Sequence, residues 1–323
     1  MRNLAYWFVT LCAAMVLSDG ALAQTYPDHA ISLVVPFTPG SGPDILARGI
    51  ATLLSDQWGQ PIIVENKPGA TGNIGARAVA RAPADGYTLL LTVNGGFVMT
   101  AAVEKSLPYD PIKDFTHIAK VATGGLALVV NPEVLPVKSV DELVAAARAQ
   151  PGKLNYASAG NGSQPHLAIE VLKQKFGLDM FHVPHKGQAQ AVTELLAGRM
   201  HLMMLPVHTA LPYVASGKLR VLAVPSKMQA RFAPNLPTFA EVGLPEVLAE
   251  LYYWVAAPAN TPKEIISKLN QTLASLIAKP EVEESLLKQG LVTEISTEQD
   301  ITRQIGQDIE WWKKFASEAK LTE

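Results

Sequence analysis

Two glycine-bearing segments of this chain have the composition of loops that bind anions. The first follows an apolar, β-branched run at Ile31–Val35 and reads TPGSGP over residues 38–43, before apolar residues recur at helical spacing between positions 45 and 54. A helix that begins directly after a strand and a glycine loop presents unpaired backbone N–H groups and the positive end of its dipole. The segment therefore predicts a site for an anion such as a carboxylate.

The second segment repeats this arrangement in the middle of the chain. A strand predicted for residues 154–156 leads into SAGNGSQP over residues 158–165, and an amphipathic helix follows. Ser163 suits the N-cap of that helix, and Pro165 is tolerated in a first helical turn because its missing N–H has no partner there. Two such junctions facing one cleft suit a molecule with two anionic ends. We therefore expect a dicarboxylate, whether aliphatic, amino-acid or aromatic.

Histidines are concentrated in the same part of the sequence, at His166, His182, His185, His201 and His208. The spacing of His182 and His185 resembles that of a zinc-binding pair. However, Pro184 between them breaks the helix that usually sets such spacing, and no carboxylate or cysteine lies at a recognised partner position. We therefore predict no metal site. A histidine beside a cleft can instead donate to a carboxylate, and His166 or His182 is the expected donor.

Several other residues have both a structural and a binding interpretation. Asp44 is expected to stabilise the start of its own helix through the dipole, since a carboxylate repels an anion. Phe37 and Trp254 are typical core residues, but both are predicted at strand ends beside the cleft, where an aromatic wall would suit a ring-bearing or long apolar acid. A further glycine-bearing loop, residues 94–96, is predicted after a strand at residues 87–93.

The predicted ligand contacts come from these loops, the histidines and the aromatic wall. They are Phe37, Thr38, Pro39, Gly40, Ser41, Gly42, Asp44, Asn94, Ser158, Asn161, Gly162, Ser163, His166, His182, Pro184 and Trp254. No catalytic residue and no cofactor are predicted. The sequence contains no G-x-S-x-G elbow, no P-loop lysine and no paired-carboxylate arrangement.

The first 23 residues resemble a cleavable signal peptide. A short basic start precedes an apolar stretch over residues 4–17, which is too brief to span a bilayer, and Ala21-Leu22-Ala23 forms the A-x-A end. The mature chain is expected to begin at Gln24 in the periplasm. The only cysteine, Cys12, lies inside this segment, so a mature chain without it has no disulfide and no thiolate metal site.

The composition excludes a nucleic-acid-binding protein. The chain has 27 basic and 29 acidic side chains, a formal net charge of −2, and no basic stripe. After the signal segment, no apolar run approaches membrane-spanning length. About 300 remaining residues suffice for two lobes, each with its own core.

Strands alternate with helices along most of the chain, which predicts parallel sheets with ligands beyond the carboxyl ends of the strands. The pattern restarts near residue 126, and a closing run of helices without new strands suggests a return to the first lobe. We therefore predict an α/β protein with a first lobe at residues 24–124, a second at 125–249, and a return to the first at 250–323.

The chain resembles the Bug family, the periplasmic solute receptors of tripartite tricarboxylate transporters. The opening signature is VVPFTPG at residues 34–40 with Asp44, Ala47 and Arg48. The other matching segments occur in order over nearly the whole mature chain: WGQP at 58–61, VENKPGA at 64–70, DGYTLL at 85–90, YAS at 156–158, GNGS at 160–163, HVP at 182–184, KG at 186–187, GKLRVLAV at 217–224 and APANTP at 257–262.

This resemblance implies a two-lobed periplasmic binding protein fold with two crossover strands, closing on a small carboxylate. In such receptors the two loops hold the carboxylates mostly through backbone amides and bridging waters. His185, His201 and residues 203–208 depart from the family pattern and leave the identity of the ligand open. The resemblance also implies delivery to the membrane subunits of a transporter, and a monomer is expected because lobe closure requires free surfaces.

Two other functions stay open at this point. A secreted α/β hydrolase would use Ser163 as nucleophile with His166 or His182 as base. A receptor that serves a sensory partner instead of a transporter is the second alternative.

Overall fold

A computed structural model of the chain describes residues 26–318, except 105, 227, 229–231, 233 and 246–248. The predicted signal peptide and its cleavage site lie outside the described residues. Within them, no helix is both long enough and apolar enough to cross a bilayer.

The first lobe begins as a run of parallel strand and helix units. Its elements are β1 (Ile31–Val35), α1 (Gly42–Trp58), β2 (Ile62–Asn66), α2 (Asn73–Ala80), β3 (Thr88–Val93) and α3 (Asn94–Val103). β1 pairs in parallel with β2 on one side and β3 on the other. Residues 94–96 are the first turn of α3 rather than the loop that the sequence predicts. Gly95 and Gly96 do not prevent a helix, because the next residues, Phe97, Val98 and Met99, are apolar and pack into the core.

The long strand β4 (Phe115–Val130) connects the two lobes. The second lobe contains α4 (Val140–Ala149), β5 (Asn155–Ser158), α5 (Gln164–Phe176), β6 (Phe181–Pro184), α6 (Gln188–Leu196), β7 (Leu202–Pro206), α7 (Val207–Ala215) and β8 (Arg220–Ala223). The chain then continues through β9 (Glu250–Pro258), α8 (Lys263–Ile277), α9 (Pro280–Lys288), β10 (Val292–Thr293) and α10 (Glu298–Glu318). β9 inserts antiparallel between β3 and β4, and the last helix packs against α3 and β4.

β4 changes its partners where it passes from one lobe to the other. Up to Gly125 it pairs with β9, and from Leu126 it pairs with β7 and then β8. The returning chain passes the same point, because the Leu126 N–H donates to the Ala249 carbonyl oxygen at 2.7 Å. The two connections between the lobes therefore lie side by side.

The directions of the strands bring the carboxyl ends of the strands in both lobes to the junction between the lobes. β1, β2 and β3 run in the same direction as β4, so their carboxyl ends point towards the second lobe. β7, β5 and β6 run opposite to β4, so their carboxyl ends point back towards the first lobe. In open α/β sheets ligands bind outside such ends. Here both sets of ends border the junction between the lobes.

Trp254 is a core residue, which corrects its prediction as a cleft residue at a strand end. It lies in the middle of β9 and is completely buried. Its indole N–H donates to Nδ1 of His117 at 3.2 Å, and its ring packs edge-on against Phe97. The alternation of a strand places Tyr252 and Trp254 on one face of the sheet and Tyr253 on the other, which the sequence alone could not orient.

His117 is buried as a neutral imidazole. Its Nε2 lies 3.1 Å from the Pro111 carbonyl oxygen, to which it donates, because Nδ1 accepts from Trp254. Burial lowers the pKa of His117 to about 4, although the Pro111 carbonyl partly opposes this effect. A charged ring would also bring a second donor towards the indole N–H.

We expect His117 to make the fold sensitive to acid. The unfolded chain takes up this proton near the ordinary pKa of 6.5 and the folded chain only near 4, so stability is complete above 6.5 and falls as the pH drops to 4. The loss is about 3 kcal/mol. Urea unfolding of wild type and His117→Asn over this range measures it, since the variant should lose stability less steeply. Equal slopes would contradict this assignment.

Candidate functional site

The loop before α1 is built around the carboxylate of Asp44. One oxygen accepts the Gly40 N–H at 2.8 Å and Arg48 Nε at 3.1 Å, and the other accepts Arg48 Nη2 at 3.0 Å and Asn66 Nδ2 at 2.8 Å. Burial raises the pKa of Asp44, but the hydrogen bonds from Arg48, Gly40 and Asn66 outweigh it and hold the pKa below its usual value. The carboxylate is therefore charged and fully engaged.

Asp44 was predicted as a ligand contact, and the structure instead makes it the support of the loop. Its side chain is buried and faces the protein. Phe37 is half-buried against the core of the first lobe, and its carbonyl oxygen accepts from Asn66. The residues that face solvent at this loop are Thr38, Pro39, Gly40 and Gly42.

The start of α1 has donors available to a bound anion. Ser41 is the N-cap residue, yet its side chain makes no capping hydrogen bond. The first N–H groups of a helix have no intrahelical acceptor. At Gly42 and Asp44 the amides meet no acceptor among the described residues, and Pro43 between them has no N–H. The glycine loop of the first lobe therefore has the geometry of an anion site.

The loop before α5 is held by hydrogen bonds among its own residues. The Gly160 N–H donates to Ser158 Oγ at 3.1 Å, and Ser163 Oγ donates to the Gly160 carbonyl oxygen at 2.6 Å. Ser158 is buried, Asn161 is exposed, and Gly162 and Ser163 are half-buried. Gly160 and Gly162 have φ of 130° and 70°, which only glycine adopts readily. These bonds leave the loop preorganised beside the helix start.

Two stacked histidines support this second loop. The rings of His166 and His182 lie 4.0 Å apart at 13°, and the ring of Tyr156 lies 4.8 Å from that of His182 at 19°. Nδ1 of His166 accepts the Gly162 N–H at 3.1 Å, while Nε2 of His182 lies 2.7 Å from Ser158 Oγ. Burial lowers the pKa of both histidines, that of His182 to about 4, with His166 adding to the effect at His182. Near pH 7 both are neutral.

The hydrolase arrangement is not formed. Ser163 Oγ donates to a backbone carbonyl and bonds to neither His166 nor His182. The serine beside a histidine is Ser158, which is buried, and its partner His182 has a pKa too low for a base near pH 7. In the described part of the chain, no three metal-binding side chains cluster.

Asn94 joins two elements of the structure and is not an open ligand contact. Its Nδ2 donates to the Glu250 carbonyl oxygen at 2.9 Å, and its Oδ1 accepts the Tyr252 N–H at 3.1 Å. The same carbonyl accepts Gln164 Nε2 at 3.0 Å, so the start of α5 is tied to the crossover. The sequence analysis missed Gln164, although its position directly after the predicted N-cap Ser163 was a usable signal.

The predicted residues thus form three groups: those that border the junction, those that support it from inside, and one core residue. The loops at 38–42 and 161–163, with His166 and His182, lie at carboxyl ends of strands that border the junction. Pro184, at the exposed end of β6, lies opposite Ser158 in the strand register. Asp44 and Asn94 support this region from inside, and Trp254 belongs to the core.

Comparisons with known proteins agree with this geometry. Residues 46–321 match the family model described as tripartite tricarboxylate transporter family receptor. Protein BugT of Bordetella pertussis is 36% identical over 302 residues, which are 93% of this chain and 92% of BugT.

Solved structures of similar proteins have the same fold. The R. palustris protein Rpa4515, solved with adipate, has a TM-score of 0.81 and 35% identity over 91% of this chain and 98% of its own. MatC of Rhodopseudomonas palustris, solved with bound malate, has a TM-score of 0.77 and 27% identity over 90% of this chain and 99% of its own. The two-lobed binding-protein fold and the resemblance to the Bug family are therefore confirmed. The chain belongs to the tripartite tricarboxylate transporter receptor family, whose members are periplasmic solute receptors and not enzymes.

Proposed function

We propose that this protein captures a small organic acid with two carboxylates between its lobes and delivers it to the membrane subunits of a tripartite tricarboxylate transporter. The observation that carries the proposal is the convergence of strand ends at the junction. α1 begins at such an end in the first lobe and α5 in the second. Each helix start presents a positive dipole end, and the start of α1 also has free main-chain donors, so one carboxylate fits each loop.

The two relatives solved with ligands support the chemistry. Adipate and malate, bound to the R. palustris proteins, both carry two carboxylate groups. A receptor that must release its ligand benefits from neutral donors. A charged side chain buried together with the ligand would have to lose its own water, which adds a desolvation cost. Arg48, on the first helix, is already paired with Asp44. We therefore assign recognition to loop residues Thr38–Gly42 and Asn161–Ser163, with His166 or His182 as a neutral donor.

We further propose that residues 1–23 are a signal peptide cleaved after Ala23, and that the mature receptor is a periplasmic monomer. The basic start and the A-x-A end support the cleavage. The lobe boundaries proposed at 124–125 and 249–250 are supported by the change of strand partners at Leu126 and by its hydrogen bond to Ala249.

A thermal-shift screen of the mature protein tests the proposed function. The panel is acetate, benzoate, succinate, malate, adipate, terephthalate and citrate. A ligand present at about 100 times its Kd stabilises the fold by about 2.7 kcal/mol, which raises Tm by several degrees. We expect the largest shift from a dicarboxylate and little from acetate. A panel without any response would overturn the proposal.

A further inference from the structure

We propose that Tyr253 is a ligand-contact residue whose hydroxyl donates a hydrogen bond to the carboxylate held at the start of α1. This inference rests on the proposed function and adds a specificity-determining side chain to it. The loops supply main-chain donors, and Tyr253 supplies a side-chain donor that the sequence analysis did not single out.

The position of Tyr253 follows from strand geometry. It lies on β9 opposite Val93, the last residue of β3, and opposite Ala122 of β4. This places it at the end of the sheet that borders the second lobe. Its side chain lies on the same face as α1, and a Cβ on Gly42, the first residue of α1, would be 3.8 Å from its hydroxyl oxygen. The hydroxyl is therefore at the helix start.

The hydroxyl of Tyr253 has no hydrogen-bond partner in the described part of the chain, unlike the other buried tyrosines. Tyr109 donates to Asn73 at 2.9 Å, Tyr252 donates to Asp308 at 2.7 Å, and Tyr156 donates to Glu170. Tyr253 is only 4% exposed. The hydroxyl oxygen itself is not fully enclosed, so the acceptor of a ligand can reach this unpaired donor at the anion site.

A second unpaired hydroxyl lies at the same helix start. Ser41 Oγ is buried and makes no hydrogen bond within the described residues, although an N-cap serine normally accepts from its own helix. Two hydroxyls and the amides of Gly42 and Asp44 thus lack acceptors in one small region. A carboxylate can accept about four hydrogen bonds through its two oxygens, which suits this set of donors.

The environment of Tyr253 also keeps it a donor. Burial raises its pKa to about 12, so the hydroxyl is protonated throughout the physiological range. By contrast, Tyr252, Tyr156 and Tyr109 each have a carboxylate nearby that further raises the pKa. At Tyr253 the pKa is raised by burial and not by a neighbouring carboxylate of the described residues. A ligand carboxylate therefore meets a neutral donor there.

The test compares Tyr253→Phe with Tyr252→Phe, a matched pair of substitutions at adjacent positions of β9. The probe is the acid that gives the largest shift for wild type in the panel above, and the measurements are Kd by calorimetry and Tm without ligand. Tyr253→Phe should weaken binding about tenfold to hundredfold, since a hydrogen bond to a charged group is lost, and should leave Tm unchanged or raised. Tyr252→Phe should lower Tm and keep Kd, because its hydroxyl bonds to Asp308.

The outcomes separate this inference from the proposed function. If wild type binds an acid and Tyr253→Phe binds it within about twofold of wild type, Tyr253 is not a contact and the proposed function stands. A loss of affinity accompanied by a fall in Tm without ligand would assign Tyr253 a purely structural role and also overturn the inference. If wild type binds no acid, the proposed function fails and the inference fails with it.

Discussion

Asp44→Ala is expected to lower the free energy of unfolding by about 3 kcal/mol and to reduce carboxylate affinity strongly, although Asp44 does not face the ligand. Removing one partner of a buried charge pair costs about 3–5 kcal/mol. The lower figure applies because the Arg48 side chain is 54% exposed and regains water. Affinity falls because the Gly40 amide loses its acceptor and the loop loses its fixed shape.

Arg48→Met is the matched control for Asp44→Ala. It removes the ion pair but leaves the hydrogen bonds from Gly40 and Asn66 to the Asp44 carboxylate. We expect it also to cost about 3 kcal/mol, because the buried Asp44 carboxylate loses its ionic partner, but to retain most of the affinity, because the loop keeps its shape. Urea unfolding and calorimetry measure both variants. If Asp44→Ala binds as tightly as wild type, the loop is not held by this carboxylate.

Gly75→Ala is expected to destabilise the protein by about 3 kcal/mol, whereas Gly49→Ala is expected to stabilise it by up to about 1 kcal/mol. Both glycines lie in helices of the first lobe. A Cβ on Gly75 would lie 2.8 Å from Pro36 Cβ and 2.9 Å from the Lys67 carbonyl oxygen, so helix α2 must move away from the sheet. Overpacking of this kind typically costs 1–3 kcal/mol, and backbone contacts place it at the upper end.

Gly49 provides the opposite case for the same substitution. Nothing lies within 4 Å of a Cβ at this position of α1, and alanine has the higher helix propensity. Urea unfolding of both variants should therefore give effects of opposite sign. Because Pro36 lies two residues before the first glycine loop, Gly75→Ala should also weaken ligand binding. Equal effects at the two positions would contradict the contact at Pro36.

Much of the candidate site was predictable because its signals are local. Strand β1, the glycine loop and the start of α1 occupy one continuous stretch, and the same holds for β5 and α5. β-branched runs, glycine, proline and helical spacing report such junctions without long-range information. The family resemblance rests on the same stretches. The start of β4 at Phe115 was missed, because its buried first half contains the polar residues His117, Lys120 and Thr123, which interrupt the apolar pattern expected of a buried strand.

What the sequence by itself determined is the α/β alternation, the family and the two helix starts that suit an anion. Only the tertiary structure decided which side chains face the ligand. The YYW run at residues 252–254 predicts a strand, yet nothing local distinguishes the face that meets α10 from the face that meets α1. That choice placed Trp254 in the core and Tyr253 at the site. Likewise, the hydrogen bond from Asn66, distant in sequence, to the Asp44 carboxylate exists only in the folded chain, where it completes the support of the loop. Burial and pairing of polar groups depend on contacts between distant segments, and those contacts exist only in the folded chain.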